Sequence, residues 1–145
     1  MKALIQRVSS GSVSVADKPI AAIGKGLVIL IGIGHADSAP QVQAMAEKIA
    51  TLRIFEDDTG KMNLSILDTG GSALVVSQFT LYADIHKGRR PAFTDAAASD
   101  IASRLVDDFV KALTGLGVPT HSGVFGAHMV VNIVNDGPVT IMLEL

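Results

Sequence analysis

Short apolar segments recur along this chain, and residues 4–8 and 12–15 alternate hydrophobic with polar positions, a spacing typical of β-strands. These segments are residues 4–8, 12–15, 20–23, 27–33, 73–81, 120–124, 129–134 and 139–145, with Ser10-Gly11 as a break between the first two. Residues 27–33 are apolar on both faces, which indicates a central strand covered on both sides. The pattern therefore predicts a protein built mainly from β-strands.

Two segments instead place their apolar residues three and four positions apart, which is helical spacing. The first predicts a helix that is capped at residues 37–38, carries Pro40 in its first turn and ends near residue 53. The second predicts a helix that begins at residues 94–95 and stops at Gly115. Strands at both ends with two helices between them predict an α+β fold whose helices pack on a mainly β core.

Composition narrows the class of protein. At 145 residues, the chain suits one domain spanning residues 1–145. A net charge of −2 argues against a protein that coats nucleic acid non-specifically, but it leaves room for one that grips only an RNA end. The absence of cysteine excludes disulfides, thiolate nucleophiles and cysteine zinc sites. With no signal-peptide pattern and no apolar run long enough for a membrane span, we expect a cytoplasmic protein.

Common catalytic motifs are missing from the sequence. It contains no nucleophile elbow and no phosphate-binding loop, and its four histidines lack metal-ligand spacing, so we expect neither a metal nor a cofactor. Thr80 is the one candidate nucleophile, because a threonine hydroxyl forms an acyl intermediate when a base activates it. No base lies near it in sequence, and a strand threonine bonded to the backbone is the alternative. Both interpretations of Thr80 stay open.

Two short blocks carry a resemblance to a known family. Residues 77–82 read Ser-Gln-Phe-Thr-Leu-Tyr, and residues 135–140 read Asn-Asp-Gly-Pro-Val-Thr. Further matching words lie, in the same order and spacing, at residues 3–8, 60–64, 90–93 and 123–127. Together they resemble the D-aminoacyl-tRNA deacylases over essentially the whole chain. Two positions depart from that pattern: Gly11 stands where alanine is frequent, and His128 stands where an acidic residue is common.

The resemblance implies a mainly antiparallel, barrel-like β core of layered sheets with two helices packed on one side. It also implies an enzyme that hydrolyses the ester of D-aminoacyl-tRNA, and of mischarged glycyl-tRNA, at the 3′ end of the tRNA. The catalytic residues would be Ser77, Gln78, Phe79 and Thr80. The 2′-hydroxyl of the terminal ribose would assist the attack, with backbone N–H groups around Phe79 and Thr80 holding the oxyanion.

Gly137 and Pro138 would select the hand of the amino acid. In the family, this dipeptide is cis and enters the pocket of the other subunit of a homodimer, where its carbonyls exclude an L-side chain. From residue types alone, an ordinary hairpin turn with a trans proline is the favoured interpretation of residues 135–138.

Other residues would contact the tRNA. Phe125 and Met129, with Phe79, would line the pocket of the terminal adenine, although core packing also explains both. Lys87, Arg89 and Arg90 would contact phosphates, although a solvated loop also explains this basic run. The alternative functions are a non-catalytic nucleic-acid-binding relative with the same fold and an interaction module without a ligand.

Overall fold

The computed structural model describes all residues from Met1 to Leu145. Its strands are β1 Lys2–Val15, β2 Lys18–Ile23, β3 Gly26–Gly32, β4 Phe55–Glu56, β5 Met62–Leu64, β6 Ser72–Ser77, β7 Thr120–Ser122 and β8 Met129–Glu144. Its helices are α1 Ala39–Ala50, α2 Ile66–Thr69 and α3 Ser99–Gly115, and a short 3-10 helix spans Phe79–Tyr82. Strands β4 and β5 form a separate hairpin, and the other six strands form one sheet.

Strand β1 organises the main sheet, because it pairs along both of its edges. Residues 2–8 pair with β3 and residues 11–15 pair with β2, while β8 runs along the opposite edge. These pairs are antiparallel, whereas β3 with β6 and β6 with β7 are parallel. The sheet curls until β2 contacts β6 and β7, which gives a nearly closed, barrel-like form. The predicted α+β fold with a barrel-like core is confirmed.

Hydrophobic side chains cover both faces of this sheet. On one face, both long helices pack against β1, β3 and β6, with large buried side chains that include Ile5, Ile29, Met45, Phe55 and Phe109. On the other face, the curled sheet closes over a smaller core formed by Val8, Val13, Ile23, Val28, Leu74 and Val76. The two long helices therefore lie on one side of the sheet, as predicted.

Helix α1 begins where the sequence predicts. Ser38 is the extended cap residue, its N–H donates to Gln41 Oε1 at 3.1 Å, and Pro40 occupies the first turn, where a missing N–H costs nothing. The buried face of the helix carries Val42, Met45, Ala46, Ile49 and Ala50. The helical stripe in the sequence therefore does face the core.

Strand β6 is shorter than the strand predicted over residues 73–81, because the chain leaves the sheet after Ser77. The Gln78 N–H still donates to a carbonyl of β3 at 2.7 Å, and the chain then enters the 3-10 helix Phe79–Tyr82. This helix folds back over Gly32, where a Cβ would lie only 3.2 Å from the Tyr82 ring. Gly32 in the neighbouring strand leaves room for this helix. The alternating pattern of residues 77–81 does not reveal that contact.

Helix α3 also differs from the prediction, since it begins at Ser99 and not at residues 94–95. Residues 94–98 follow the end of β3 instead. The Ala97 N–H donates to the Ile33 carbonyl at 2.9 Å, and Ala96 forms a bridge with Gly34. Backbone groups that bond to Ile33 and Gly34, just after β3, are not free for a helical turn. No helix of the fold is both long enough and apolar enough to cross a membrane.

The predicted break at Ser10-Gly11 is wrong, because β1 runs through it. Gly11 pairs with Ile23 of β2 and Ile133 of β8, and a Cβ there would lie 2.7 Å from Val28 Cγ2. Glycine at this position therefore allows close packing between the layers and does not end the strand.

The two strands predicted at residues 129–134 and 139–145 are one strand, β8, so the hairpin interpretation of residues 135–138 is wrong. Asn135 pairs with Val8, and Thr140 pairs with Gln6 on the same strand β1. Residues 136–139 therefore stand opposite the single residue between those partners. We call these four residues the β8 bulge.

Candidate active site

A cavity of about 530 Å³ opens beside the ends of β3 and β6 and the first turns of α3. Its wall is mainly apolar and includes Ile33, Val76, Ala97, Ala102, Val106 and Val131. His128 is the one ionisable side chain in that wall. A ligand with a large apolar or aromatic part suits such a site, because few charged groups are present to be desolvated.

Three residues of the first sequence block lie together in the cavity wall. Ser77 ends β6, Gln78 follows it and Phe79 begins the 3-10 helix, so the change from strand to helix points all three at the cavity. Phe79 is 58% exposed, and its ring meets that of Phe93 edge to face, with centroids 4.9 Å apart. Phe93 comes from the loop before α3, which the sequence analysis did not assign to the site.

Thr80 is exposed and does not line the cavity. The side-chain amide of Gln78 donates a hydrogen bond to its Oγ1. No histidine or carboxylate bonds to this hydroxyl, so the geometry supplies no base that would activate it as a nucleophile. The backbone N–H groups of Phe79 and Thr80 lie at the start of the 3-10 helix, where such groups have no acceptor within the helix.

Arg7, which is only 5% exposed, holds the base of the β8 bulge. Its Nη1 donates to the Ile54 carbonyl at 2.8 Å, and its Nε donates to the Asp136 carbonyl at 3.2 Å. The Asn135 side chain closes the base of the bulge by donating to the carbonyls of Arg7 and Val139, at 2.9 and 3.0 Å. A buried cation in an apolar strand needs such partners. An arginine within an apolar strand is visible in the sequence, although the sequence alone assigned Arg7 no role.

Gly137 and Pro138 form the exposed tip of the β8 bulge, and the peptide bond between them is cis. Gly137 has a φ of +121°, and a Cβ there would lie 2.9 Å from Val139 Cγ2 and 3.0 Å from Arg7 Nη2. Neither residue lines the cavity of its own chain. The fold therefore does not bring the second sequence block to the first within one subunit.

Phe125 and Met129 do line the cavity, next to His128. Met129 also packs against the smaller hydrophobic core, so the core-packing and pocket-lining interpretations both describe it. Phe125 is 37% exposed. His128 lies in the same wall, so the departure of this position from the family pattern falls at the cavity itself.

Lys87, Arg89 and Arg90 lie exposed in the loop between the 3-10 helix and α3, outside the cavity wall. His86 shapes this loop, because its backbone N–H donates to Asp84 Oδ1 at 2.8 Å and its ring contacts the same oxygen at 2.6 Å. These two hydrogen bonds lower the pKa of Asp84, the backbone bond more than the ring. The fold brings together no group of three or more His, Asp or Glu residues that could hold a metal ion.

Comparison with known proteins identifies relatives over the full length of the chain. A family model described as D-Tyr-tRNA(Tyr) deacylase matches residues 4–144. Curated D-aminoacyl-tRNA deacylases of Chloroflexus aurantiacus and Thermomicrobium roseum are 58% and 57% identical to the chain, over 99% of it and 90% and 94% of those proteins. The one from Clostridioides difficile is 52% identical over 99% of the chain and 97% of that protein.

Two solved structures share the fold. A protein described as c-Myc DNA Unwinding Element Binding Protein superposes with a TM-score of 0.95 at 42% identity, covering 100% of this chain and 99% of its own. A probable eukaryotic D-amino acid tRNA deacylase superposes with a TM-score of 0.85 at 19% identity, covering 99% of this chain and 98% of its own. The second likeness shows the fold alone.

Proposed function

The chain belongs to the D-Tyr-tRNA(Tyr) deacylase family, and from this membership we propose that it hydrolyses the ester of D-aminoacyl-tRNA in the cytoplasm. The products are the free D-amino acid and the tRNA. Residues 1–145 act as one catalytic domain that needs no cofactor. The structural observation that supports the proposal is the joint placement of Ser77, Gln78 and Phe79 in the wall of an apolar cavity.

The terminal adenosine occupies this cavity. Its base stacks on the exposed ring of Phe79 or packs against Phe125 and Met129, contacts that contribute about 1–3 kcal/mol per stacked base. The apolar wall suits a neutral purine and ribose better than a charged ligand. Lys87, Arg89 and Arg90, in the exposed loop beside the cavity, contact the phosphates that lead to the adenosine.

The protein positions the ester, and the 2′-hydroxyl of the terminal ribose assists the attack on it. Orientation of this kind contributes about 7–11 kcal/mol to catalysis. The 2′-hydroxyl lies next to the ester in every aminoacyl-tRNA, so the enzyme does not need a strong base of its own. The N–H groups of Phe79 and Thr80 hold the developing oxyanion, at about 3 kcal/mol per donor. Support for this mechanism comes from Thr80, whose hydroxyl has Gln78 and no base as its partner.

Selection of the D-amino acid comes from the β8 bulge of a second subunit. Gly137 and Pro138 are exposed and lie outside the cavity of their own chain, so they are available to the cavity of a partner. There, their carbonyls occupy the space that an L-side chain requires. Glycine has no side chain to exclude, so mischarged glycyl-tRNA is also a substrate.

The second subunit covers the outer surface of β8. This strand of 16 residues pairs only with β1, so its other edge is free, and unprotected edges of this length are normally covered in a stable protein. Its exposed positions include Val130 and Val134, each 54% exposed. A symmetric dimer with isologous contacts buries both copies of this strand together.

Hydrolysis of matched substrates tests the activity directly. Purified protein is incubated with D-Tyr-tRNA, L-Tyr-tRNA and Gly-tRNA, and the loss of each ester is followed. We expect fast loss of the D-ester, measurable loss of the glycyl ester and persistence of the L-ester. Equal rates for the D- and L-esters would contradict selection by the β8 bulge.

Mixed dimers test the contribution of the second subunit. One variant, Gly137→Ala, is damaged in the bulge, and another, Gln78→Ala with Phe79→Ala, is damaged in the cavity. If the bulge acts across the dimer, each mixed dimer has one intact site, so an equal mixture recovers about a quarter of wild-type activity. If the bulge acts within its own chain, the mixture recovers nothing.

A non-catalytic nucleic-acid-binding function is the second candidate, because one protein with the same fold at 42% identity is described as binding a DNA element. The net charge of −2 disfavours extended binding to duplex DNA. Tight, salt-sensitive binding to duplex DNA, together with no loss of any aminoacyl ester, would favour this candidate over the deacylase.

A further inference from the structure

The 3-10 helix Phe79–Tyr82 is held at its far end by a hydrogen-bonded cluster that the proposed reaction does not use. Tyr82 is the only tyrosine of the chain, and its hydroxyl lies 3.3 Å from Asp37 Oδ2. Asp37 lies in the turn before α1, and its side chain is 6% exposed. The catalytic segment is therefore tied to a buried carboxylate on a different part of the chain.

Asp37 gathers three segments at one point. Its Oδ2 also accepts a hydrogen bond from the Gly34 N–H at 2.6 Å, which fixes the chain just after β3, and its Oδ1 accepts one from the α-amino group of Met1 at 2.5 Å. The same amino group donates to the Leu145 carbonyl at 2.6 Å. A buried carboxylate with this many partners is held in one position, so it is a rigid anchor for the hydroxyl of Tyr82.

The ring of Tyr82 is as closely held as its hydroxyl. A Cβ on Gly34 would lie 2.7 Å from the Tyr82 oxygen, and one on Gly32 would lie 3.2 Å from the ring, so the two glycines form the surface on which the ring rests. Lys2 covers the ring from outside, with its Nζ 4.8 Å from the ring centroid. This fit leaves the phenol little freedom to move.

We infer that Tyr82 and Asp37 are positioning residues for the reaction: their hydrogen bond fixes the end of the 3-10 helix and thereby sets Phe79 and the N–H groups at its start against the ester. A helix of four residues has almost no stability of its own, so its orientation depends on what holds its two ends. One end continues from β6, and the other is Tyr82. A misplacement of about 1 Å costs roughly 10²-fold in rate when catalysis relies on orientation.

The pKa of the Tyr82 phenol reports on this cluster and can be followed by absorbance. Burial, the Asp37 charge and the hydrogen bond to Asp37 raise the pKa of Tyr82, in that order, and Glu144 and Asp95 add to the effect. Lys2 is the cation that faces the ring. Since the chain has one tyrosine and no tryptophan, its phenol absorbance reports on Tyr82 alone.

The experiment compares Tyr82→Phe, which removes only the hydroxyl, with the wild type in single turnovers of D-Tyr-tRNA at saturating enzyme. We expect a loss of about tenfold in the rate of the chemical step with tRNA affinity unchanged. Asp37→Ala, which removes the acceptor of that bond, should slow the reaction at least as much, and adding Tyr82→Phe to it should cost no further rate, because the bond is already lost. A rate for Tyr82→Phe within twofold of the wild type overturns the inference.

Asp68→Asn is the matched structural control. Asp68 accepts hydrogen bonds from the Ser65 N–H at 2.8 Å and the Ser65 hydroxyl at 2.6 Å at the start of α2, away from the cavity. The control should keep the wild-type rate even if its melting temperature falls as far as that of Tyr82→Phe. If both variants lose the same fraction of activity, general loss of stability explains the effect and the inference fails.

Two measurements do not depend on activity, although the inference rests on the proposed function. Asp37→Asn should lower the pH at which the Tyr82 phenol titrates, towards the usual value of about 10. Tyr82→Phe should increase hydrogen exchange at the amides of residues 79–83 and leave α2 protected. If the wild type hydrolyses no ester, the proposed function fails. Unchanged titration and unchanged exchange overturn the positioning role by themselves.

Discussion

Residues 77–82 and the β8 bulge at residues 136–139 are both departures from regular strands of one sheet, but the fold uses them differently. The first segment turns inward, so that Ser77, Gln78 and Phe79 line a cavity of the same chain. The second turns outward, held at its base by Arg7 and Asn135, with Gly137 and Pro138 exposed at its tip.

The two regions differ in whether the chain that carries them also supplies the cavity they would act on. The segment at 77–82 has its cavity and its anchors within one chain, so it is a site in its own right. The bulge has a rigid base and a tip that contacts no site of its own chain, which is the arrangement expected of a part that acts on a partner. The following predictions separate the two roles, from the largest expected effect to the smallest.

Removing the 2′-hydroxyl of the terminal adenosine tests whether the cavity segment works by positioning. An ester on the 3′-hydroxyl of a 2′-deoxyadenosine terminus should be hydrolysed about 10³-fold more slowly in single turnovers, because the assisting group is gone. A tRNA with the deoxy substitution one nucleotide earlier is the control and should react normally. A deoxy-terminated substrate cleaved at the normal rate would show that the ribose hydroxyl does not assist the reaction.

Replacing Arg7 tests the base of the bulge. Arg7→Met keeps much of the volume but leaves the Ile54 and Asp136 carbonyls without their charged donor, so we expect unfolding free energy to fall by about 3 kcal/mol in urea denaturation. Arg104→Met, on the exposed face of α3, should change stability by less than about 0.5 kcal/mol. Similar small losses for both variants would show that the bulge does not depend on Arg7.

Adding one methyl group at the tip tests the role of the bulge in selectivity. Gly137→Ala meets Val139 and Arg7 at about 3 Å, so the tip must shift, and hydrolysis of the D-ester should fall about 30-fold while the D-to-L ratio narrows. Gly88→Ala is matched in backbone, with φ of +120° against +121°, but a Cβ there meets nothing within 4 Å. Its D-to-L ratio should stay that of the wild type.

Removing the Thr80 hydroxyl should have the smallest effect. Thr80→Ala is expected to slow single turnovers less than about tenfold, whereas loss of a true nucleophile costs roughly 10⁴-fold or more. Saturating enzyme is needed, since weak binding of the substrate imitates slow chemistry. A folded Thr80→Ala variant without measurable turnover would restore threonine as the nucleophile and remove the contrast between the two regions.

The hydrophobic pattern predicted the β-rich α+β fold and both long helices, because burial of an apolar face imposes a fixed spacing on each element. It placed several boundaries wrongly. Residues 78–81 alternate like a strand but lead into the 3-10 helix Phe79–Tyr82, and residues 94–98 look like the start of a helix but bond to residues 33–35. In both places the partner lies in β3 or directly after it and is distant in sequence, so no local pattern contains the information.

For the site, too, some features could be recognised in the sequence and others depended on the tertiary structure. The sequence showed the two blocks, through their resemblance to a known family, and the lack of a metal-ligand pattern, since both depend on which side chains are present. Only the tertiary structure decided that residues 77–79 share a cavity with Phe93 and His128, that Thr80 faces Gln78 and no base, and that Tyr82 reaches Asp37. It also decided that residues 135–138 continue a strand and do not reverse it, because both flanks pair with β1. Side-chain chemistry is local to the sequence, whereas distance between side chains is set by how the sheet curls and where its glycines let other segments approach.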